Sequence, residues 1–182
     1  MLDLADEPPL SELETWAALA RSRSVWPPLA FVADSRRDGG DRCSLRRLAD
    51  HLQLHVVEAA AGARGLVDCA MSLVSALSTP GLVGVHVENM RTLCGAARTG
   101  HAAVLGDRGG WGPLLRRPEI GDVLLVIHAS EHVTLQSISE AVQAVSSLLP
   151  AESEIMLAVP LAVGARGPAL ELSFIAFHRD LG

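Results

Sequence analysis

The stretch from Ala63 to Val87 constrains the fold more than any other part of the chain. Leu66, Ala70, Leu73 and Leu77 recur at helical spacing, and Val67 and Val74 widen the apolar face, so the run predicts a helix over about 63–77. Ser78-Thr79-Pro80-Gly81 stops it, and the apolar run Leu82 to Val87 follows at once as a strand. This helix is expected to lie buried between an N-terminal segment and a C-terminal sheet.

Elsewhere the chain alternates helices and strands. After Pro8 and Pro9, Ser11 is placed to cap a helix with Glu14 three residues on and Leu13, Trp16, Ala17 and Ala20 on one stripe; Pro27 and Pro28 end it. Leu29 to Ala33 reads as a buried strand, Asp34 to Asp41 as a polar turn, and Ser44 to Leu52 as a second helix. A helix over about 89–97 leads to a strand from His101 to Leu105, and Gly106 to Pro118, rich in Gly, Pro and Arg, reads as a loop. Then the pattern becomes regular: strand Asp122 to His128, helix Thr134 to Leu149 with Thr134 as N-cap, strand Glu154 to Pro160, strand Ala169 to His178. In the last strand the alternation gives way to apolar residues on both sides, which predicts cover on one face at its start and on both later.

Composition narrows the chemistry. All 15 basic residues are arginine, so a Schiff-base lysine or a phosphate-loop lysine is excluded. A net charge of −6 with only three Phe and three Trp argues against a nucleic-acid surface of basic stripes and stacking aromatics. Cys43, Cys69 and Cys94 show no metal-ligand spacing and are expected as buried thiols in a reducing compartment. The start, MLDLADEPPLSELE, lacks the positive region and apolar run of a signal peptide, and no apolar stretch reaches the roughly 18 residues of a membrane span. The expected location is cytoplasmic.

Two stretches resemble the FtsZ/tubulin-like family, its C-terminal half in particular. AMSLVSALSTPGLVGVHVENMRTLC, from Ala70 to Cys94, is similar to the end of the family's long central helix, its Pro-Gly-Leu turn, and the loop and strand beyond. The stretch from Asp122 to His178 is similar to the C-terminal domain in the order and spacing of its elements. The resemblance implies an α/β fold: a two-layer C-terminal domain with a mixed four-stranded sheet and helices (80–182), a central helix before it (63–79), and residues 1–62 as a short remnant of the GTP-binding half.

The departures from the family carry the functional expectation. FtsZ holds guanine nucleotide on a GGGTGTG loop whose backbone N–H groups cradle phosphate, and no such loop occurs here. Its second catalytic element, Asn-x-Asp-x-x-Asp after the central helix, maps onto Gly84, His86 and Asn89, none a carboxylate; Glu88 is a neighbour of the last position. The family's acidic guanine contact maps near Ala63. No cofactor, no metal and no GTPase activity are therefore expected from this chain.

Other groups that bear chemistry have plain readings. His51 and His55 have the i, i+4 spacing of a metal pair, but the second helix ends near Leu52 and no third ligand stands at a recognisable spacing. His128 and His132 flank a turn, and Ser130-Glu131-His132 lacks a nucleophile elbow. The Gly106 to Gly112 run lacks the strand and helix that aim a phosphate loop, with Trp111 as either a loop anchor or an exposed binding residue.

The expected function is protein binding: association with a filament-forming FtsZ-like subunit, or with its own kind, through the Pro80 to Asn89 surface. Pro80, Gly81, Gly84, His86, Glu88 and Asn89 are the candidate contacts, with Trp111 a further one. Gly81 and Gly84 are expected to permit close backbone approach. Two alternatives belong to other classes: one half of a split FtsZ-like GTPase, or an enzyme with histidine-based chemistry on a similar fold.

Overall fold

The computed structural model describes residues 14, 15, 17–19, 22, 29–33, 47, 49–59, 62–94, 99–105, 112–130, 133–161 and 170–179. Ser11, the turn from Asp34 to Asp41, Cys43, Trp111, Glu131 and His132 lie outside them. The strands are β1 (Leu29–Ala33), β2 (His55–Ala59), β3 (Gly81–Val83), β4 (Thr99–Leu105), β5 (Ile120–Ala129), β6 (Ile155–Pro160) and β7 (Leu170–His178). The helices are α1 (Gly62–Ser78), α2 (Val87–Cys94), α3 (Gly112–Leu115) and α4 (Leu135–Ser146).

All seven strands form one mixed sheet in the order β1-β2-β4-β7-β5-β6-β3. The expected four-stranded sheet is therefore wrong, for two reasons. The run His55-Val-Val-Glu-Ala forms a strand that periodicity over five residues does not announce. It then pairs in parallel with both β1 and β4, while β4 pairs antiparallel with β7. Had the sheet stopped at β4, one row of its backbone N–H and C=O groups would lack ladder partners; β2 supplies them.

The sheet is covered on both faces. On one, α1 runs across β1, β2, β4, β5, β6 and β7, and α2 adds Met90, Leu93 and Cys94 to the same core as Leu66, Leu73, Leu124, Val126, Ile175 and Phe177. On the other, α4 and α3 bury Ile138, Val145 and Leu115 against Leu125, Ile127 and Phe174, and the N-terminal helical residues bury Ala17, Ala49 and Leu52 against Val32 and Val56. Strand β7 follows its sequence, with Glu171 exposed and all of 173–177 buried.

Local chemistry explains the boundaries. Thr134 caps α4 as expected, its side chain accepting from Ser137 N–H while Ser137 Oγ accepts from Thr134 N–H. Gln53, at φ 54, closes the helical turn ahead of β2, and Leu54 N–H donates to Ala49 O at 3.0 Å. The expected Gly106–Pro118 loop contains the short helix α3, anchored by a fully buried Leu115.

One departure concerns α1. Its inner face is covered by the sheet, but Val67, Met71 and Val74 on the outer face are 38%, 61% and 55% exposed. Burial from both sides was the expectation, and among the described residues only one side is covered.

Candidate functional site

The chain leaves α1 at Ser78 and enters the candidate segment. Gly81 belongs there for a packing reason: an added Cβ would overlap the Val159 carbonyl and come within 2.9 Å of Pro160 Cα. The close approach it permits is thus to β6 of the same molecule, with which β3 pairs antiparallel. Gly84 is different, because a Cβ there meets nothing within 4 Å.

The expected strand to Val87 is shorter. It ends at Val83, and α2 begins at Val87, two residues earlier than the sequence indicated. The cause is a cap: His86 N–H donates to Asn89 Oδ1 at 3.0 Å, and Asn89 N–H donates to His86 O at 2.9 Å. Glu88 sits in the first turn, where the helix dipole favours its charge. Pro80, Gly81, Gly84, His86, Glu88 and Asn89 are all exposed along this one segment. Sequence reasoning missed their apolar company: Leu82, Val83 and Val87 are 51%, 41% and 45% exposed. The signal was present in the run Leu82 to Val87, which reads as buried strand only if something covers it.

The histidines separate. His51 Nε2 lies 2.7 Å from Glu14 Oε1 at the surface, whereas His55 is buried on β2, so the i, i+4 pair does not converge. Among the described residues no three His, Cys, Asp or Glu side chains are grouped to hold a metal. Glu58 of β2 lies opposite His101 of β4, Oε2 to Nδ1 3.2 Å, and the His101 ring meets His178 edge-on with centroids 4.6 Å apart. Cys69 and Cys94 are buried thiols, pushed up by burial to about 11 and about 12; Asp68 adds to the rise at Cys69.

A second polar node was not legible in the sequence. Ser72 of α1 contacts His128 Nε2 at 2.8 Å and also bonds to Ser173 of β7, joining helix to sheet. With His128 neutral, Ser173 donates to Ser72 and Ser72 donates to the imidazole, so each hydroxyl proton has an acceptor. Ser72 sits in mid-helix, where neighbouring N–H groups are committed to the helix and none is left to stabilise an oxyanion. The node reads as a tie, not as a nucleophile.

Burial lowers the affinity of His128 for a proton, and Glu171, opposite it on β7, partly offsets that. A histidine disfavoured as the cation in the fold contributes stability that is complete above its ordinary value of about 6.5 and is lost as pH falls through the depressed one. Denaturant melts at pH 7.5, 6.5 and 5.5 should show the wild type losing more stability on acidification than His128→Gln. Equal losses would show that His128 does not titrate this way.

No family model and no curated protein matches this sequence. Solved structures do. An empty FtsZ dimer from M. jannaschii is 13% identical with a TM-score of 0.64, covering 92% of this chain and 59% of that one. A point mutant of M. jannaschii FtsZ is 12% identical with a TM-score of 0.62, covering 91% and 60%. CetZ from Methanosaeta thermophila strain DSM 6194 is 11% identical with a TM-score of 0.58, covering 91% and 56%. At such identities the likeness shows the fold, which is FtsZ/tubulin-like over most of the chain, and the chain spans less than two thirds of each of these structures. Among the described residues no helix is long and apolar enough to cross a membrane.

Proposed function

We propose that this chain is a nucleotide-independent FtsZ/tubulin-like protein that acts by association, binding or modulating a filament-forming partner of the cytoskeletal or cell-division type or joining copies of itself. The observation that carries this reading is the exposed segment from Pro80 to Asn89, where Leu82, Val83 and Val87 stand open between polar residues at the edge of a rigid sheet. Apolar side chains rimmed by polar ones are what a protein partner covers. The solved dimer of similar fold supports self-association as one form of it.

Nucleotide independence rests on the sequence, which has neither a glycine-rich phosphate cradle nor carboxylates at Gly84, His86 and Asn89. Titration of labelled GTP and GDP, with and without magnesium, should show no saturation at micromolar nucleotide. Micromolar binding would end this part of the reading. Association is tested by immobilising the chain and titrating a purified FtsZ-type protein with GTP, where saturable binding is expected.

A split GTPase, with the phosphate cradle on another chain, is the second reading: the fold is FtsZ/tubulin-like and this sequence carries no glycine-rich cradle. A neighbouring gene for a GTP-binding half, whose product restores GTP hydrolysis on mixing, would replace the first reading with this one.

A further inference from the structure

We propose that His128 is a proton-sensitive latch on the contact segment: when its imidazole takes up a proton, the C-terminal part of α1 loosens from β5 and association through Pro80–Asn89 weakens. Resting on the reading of that segment as the contact surface, the latch adds its regulation. Three observations carry it.

The first is a closed ring of contacts. Ser72 ties α1 to His128, near the end of β5, at 2.8 Å. Beyond the end of α1 at Ser78, Pro80 O accepts from Leu161 N–H at 3.3 Å. Leu161 bridges Ala129, the residue after His128, and Gly81 pairs with Pro160. The ring thus runs from Ser72 through Pro80, Leu161 and Ala129 back to His128, and the contact segment leaves it at Pro80. No residue from Ser72 to Pro80 is ionisable, nor is Ala129 or Leu161, so His128 is the one member whose charge changes with pH.

The second is the direction of the hydroxyl chain. With His128 neutral, Ser173 donates to Ser72 and Ser72 donates to Nε2. The cation carries a proton on Nε2 and accepts nothing there, so Ser72 must turn its own proton toward Ser173. The Ser173 proton then loses the acceptor it has, and both serines are buried, where such a loss is costly.

The third is the electrostatic surroundings. Burial disfavours the cation, and Glu171, opposite on β7, partly offsets that. Strand β6 carries no charge, Asp68, Glu88 and Arg91 are exposed, and burial keeps Cys69 and Cys94 as neutral thiols. With α1 loosened, the imidazole meets water and regains its ordinary value of about 6.5. The loosened form therefore binds the proton more tightly, and acid shifts the population toward it.

The test is the affinity of the whole chain for a purified FtsZ-type subunit between pH 7.5 and 5.5. Wild type, His128→Gln and Glu171→Gln are compared, with circular dichroism showing each folded throughout; glutamine accepts from Ser72 without titrating. All three share His86 and the same partner, so differences among them belong to His128 and its neighbour. Wild type should lose affinity on acidification by about threefold or more beyond the loss of His128→Gln. The loss in Glu171→Gln should come at lower pH than in wild type, since the carboxylate that favours the cation is gone. In the chain alone, the Leu161 amide, corrected for intrinsic exchange, should be less protected at pH 5.5 in wild type and not in His128→Gln. Equal losses of affinity in wild type and His128→Gln, an unmoved Glu171→Gln profile, or a Leu161 amide equally protected at both pH values would overturn the latch and leave the contact surface in place. No binding by any of the three chains at any pH would overturn the reading of the segment, and the latch with it.

Discussion

Leu73→Ala is expected to lower the unfolding free energy by roughly 2–5 kcal/mol, the range for removing a buried leucine where neighbours cannot collapse into the space. Leu73 is 8% exposed and lies in the core formed by α1, α2 and the sheet, together with Leu124, Val126, Ile175 and Phe177. Because α1 crosses six of the seven strands, its backbone cannot settle onto the gap without losing contact elsewhere. The control is on the same helix one residue on. Val74 is 55% exposed, so Val74→Ala removes little buried area and gains helix propensity, leaving stability within about 0.5 kcal/mol. Urea melts of the two variants beside wild type decide the matter. A loss below about 1 kcal/mol for Leu73→Ala would place the apolar seam of α1 away from the sheet.

That contrast within one helix marks the limit of what was legible in the sequence. Periodicity located α1 to within a residue at each end, but both its faces are apolar, and no pattern in a single chain says which one a sheet will cover. Thr134 was readable as a cap because its hydroxyl has a fixed local task, and β7 because alternation breaks where both faces become buried. The start of α2 was misplaced because its cap comes from the side chain of Asn89, inside the helix, and not from the residue before it. β2 and the seven-strand order were missed because pairing β2 with β4, some forty positions apart, is a long-range event without a local signature. At the candidate site the glycines were visible but their roles were not: Gly81 faces β6 and Gly84 faces open space. The Ser72–His128–Ser173 tie joins residues up to 101 positions apart, which spacing arguments do not reach.

Gly84→Arg is expected to weaken binding of an FtsZ-type subunit at least tenfold, about 1.4 kcal/mol, while leaving the melt unchanged. A Cβ at this position meets no atom beyond its chain neighbours within 4 Å, so a side chain can start outward from the backbone without displacing the fold. On the proposed surface the same open space is where a neighbouring subunit docks, between Leu82 and Val83 on one side and Val87 on the other. A guanidinium placed there adds bulk, and its burial without a carboxylate partner is costly. Gly81 is unsuitable for the same test, since any Cβ overlaps the Val159 carbonyl and loss of binding would follow from loss of the β3–β6 pair. Unchanged affinity for Gly84→Arg would move the working surface away from this segment.

The central claim is that the chain works by meeting a filament-forming subunit of its own fold class. It is tested most directly by adding the purified chain to an FtsZ-type protein assembling in GTP and measuring the polymer pelleted by centrifugation. The account predicts that substoichiometric wild type changes the polymer mass and that Gly84→Arg at the same concentration does not. Polymer mass that is the same with wild type, with Gly84→Arg and with buffer would contradict it.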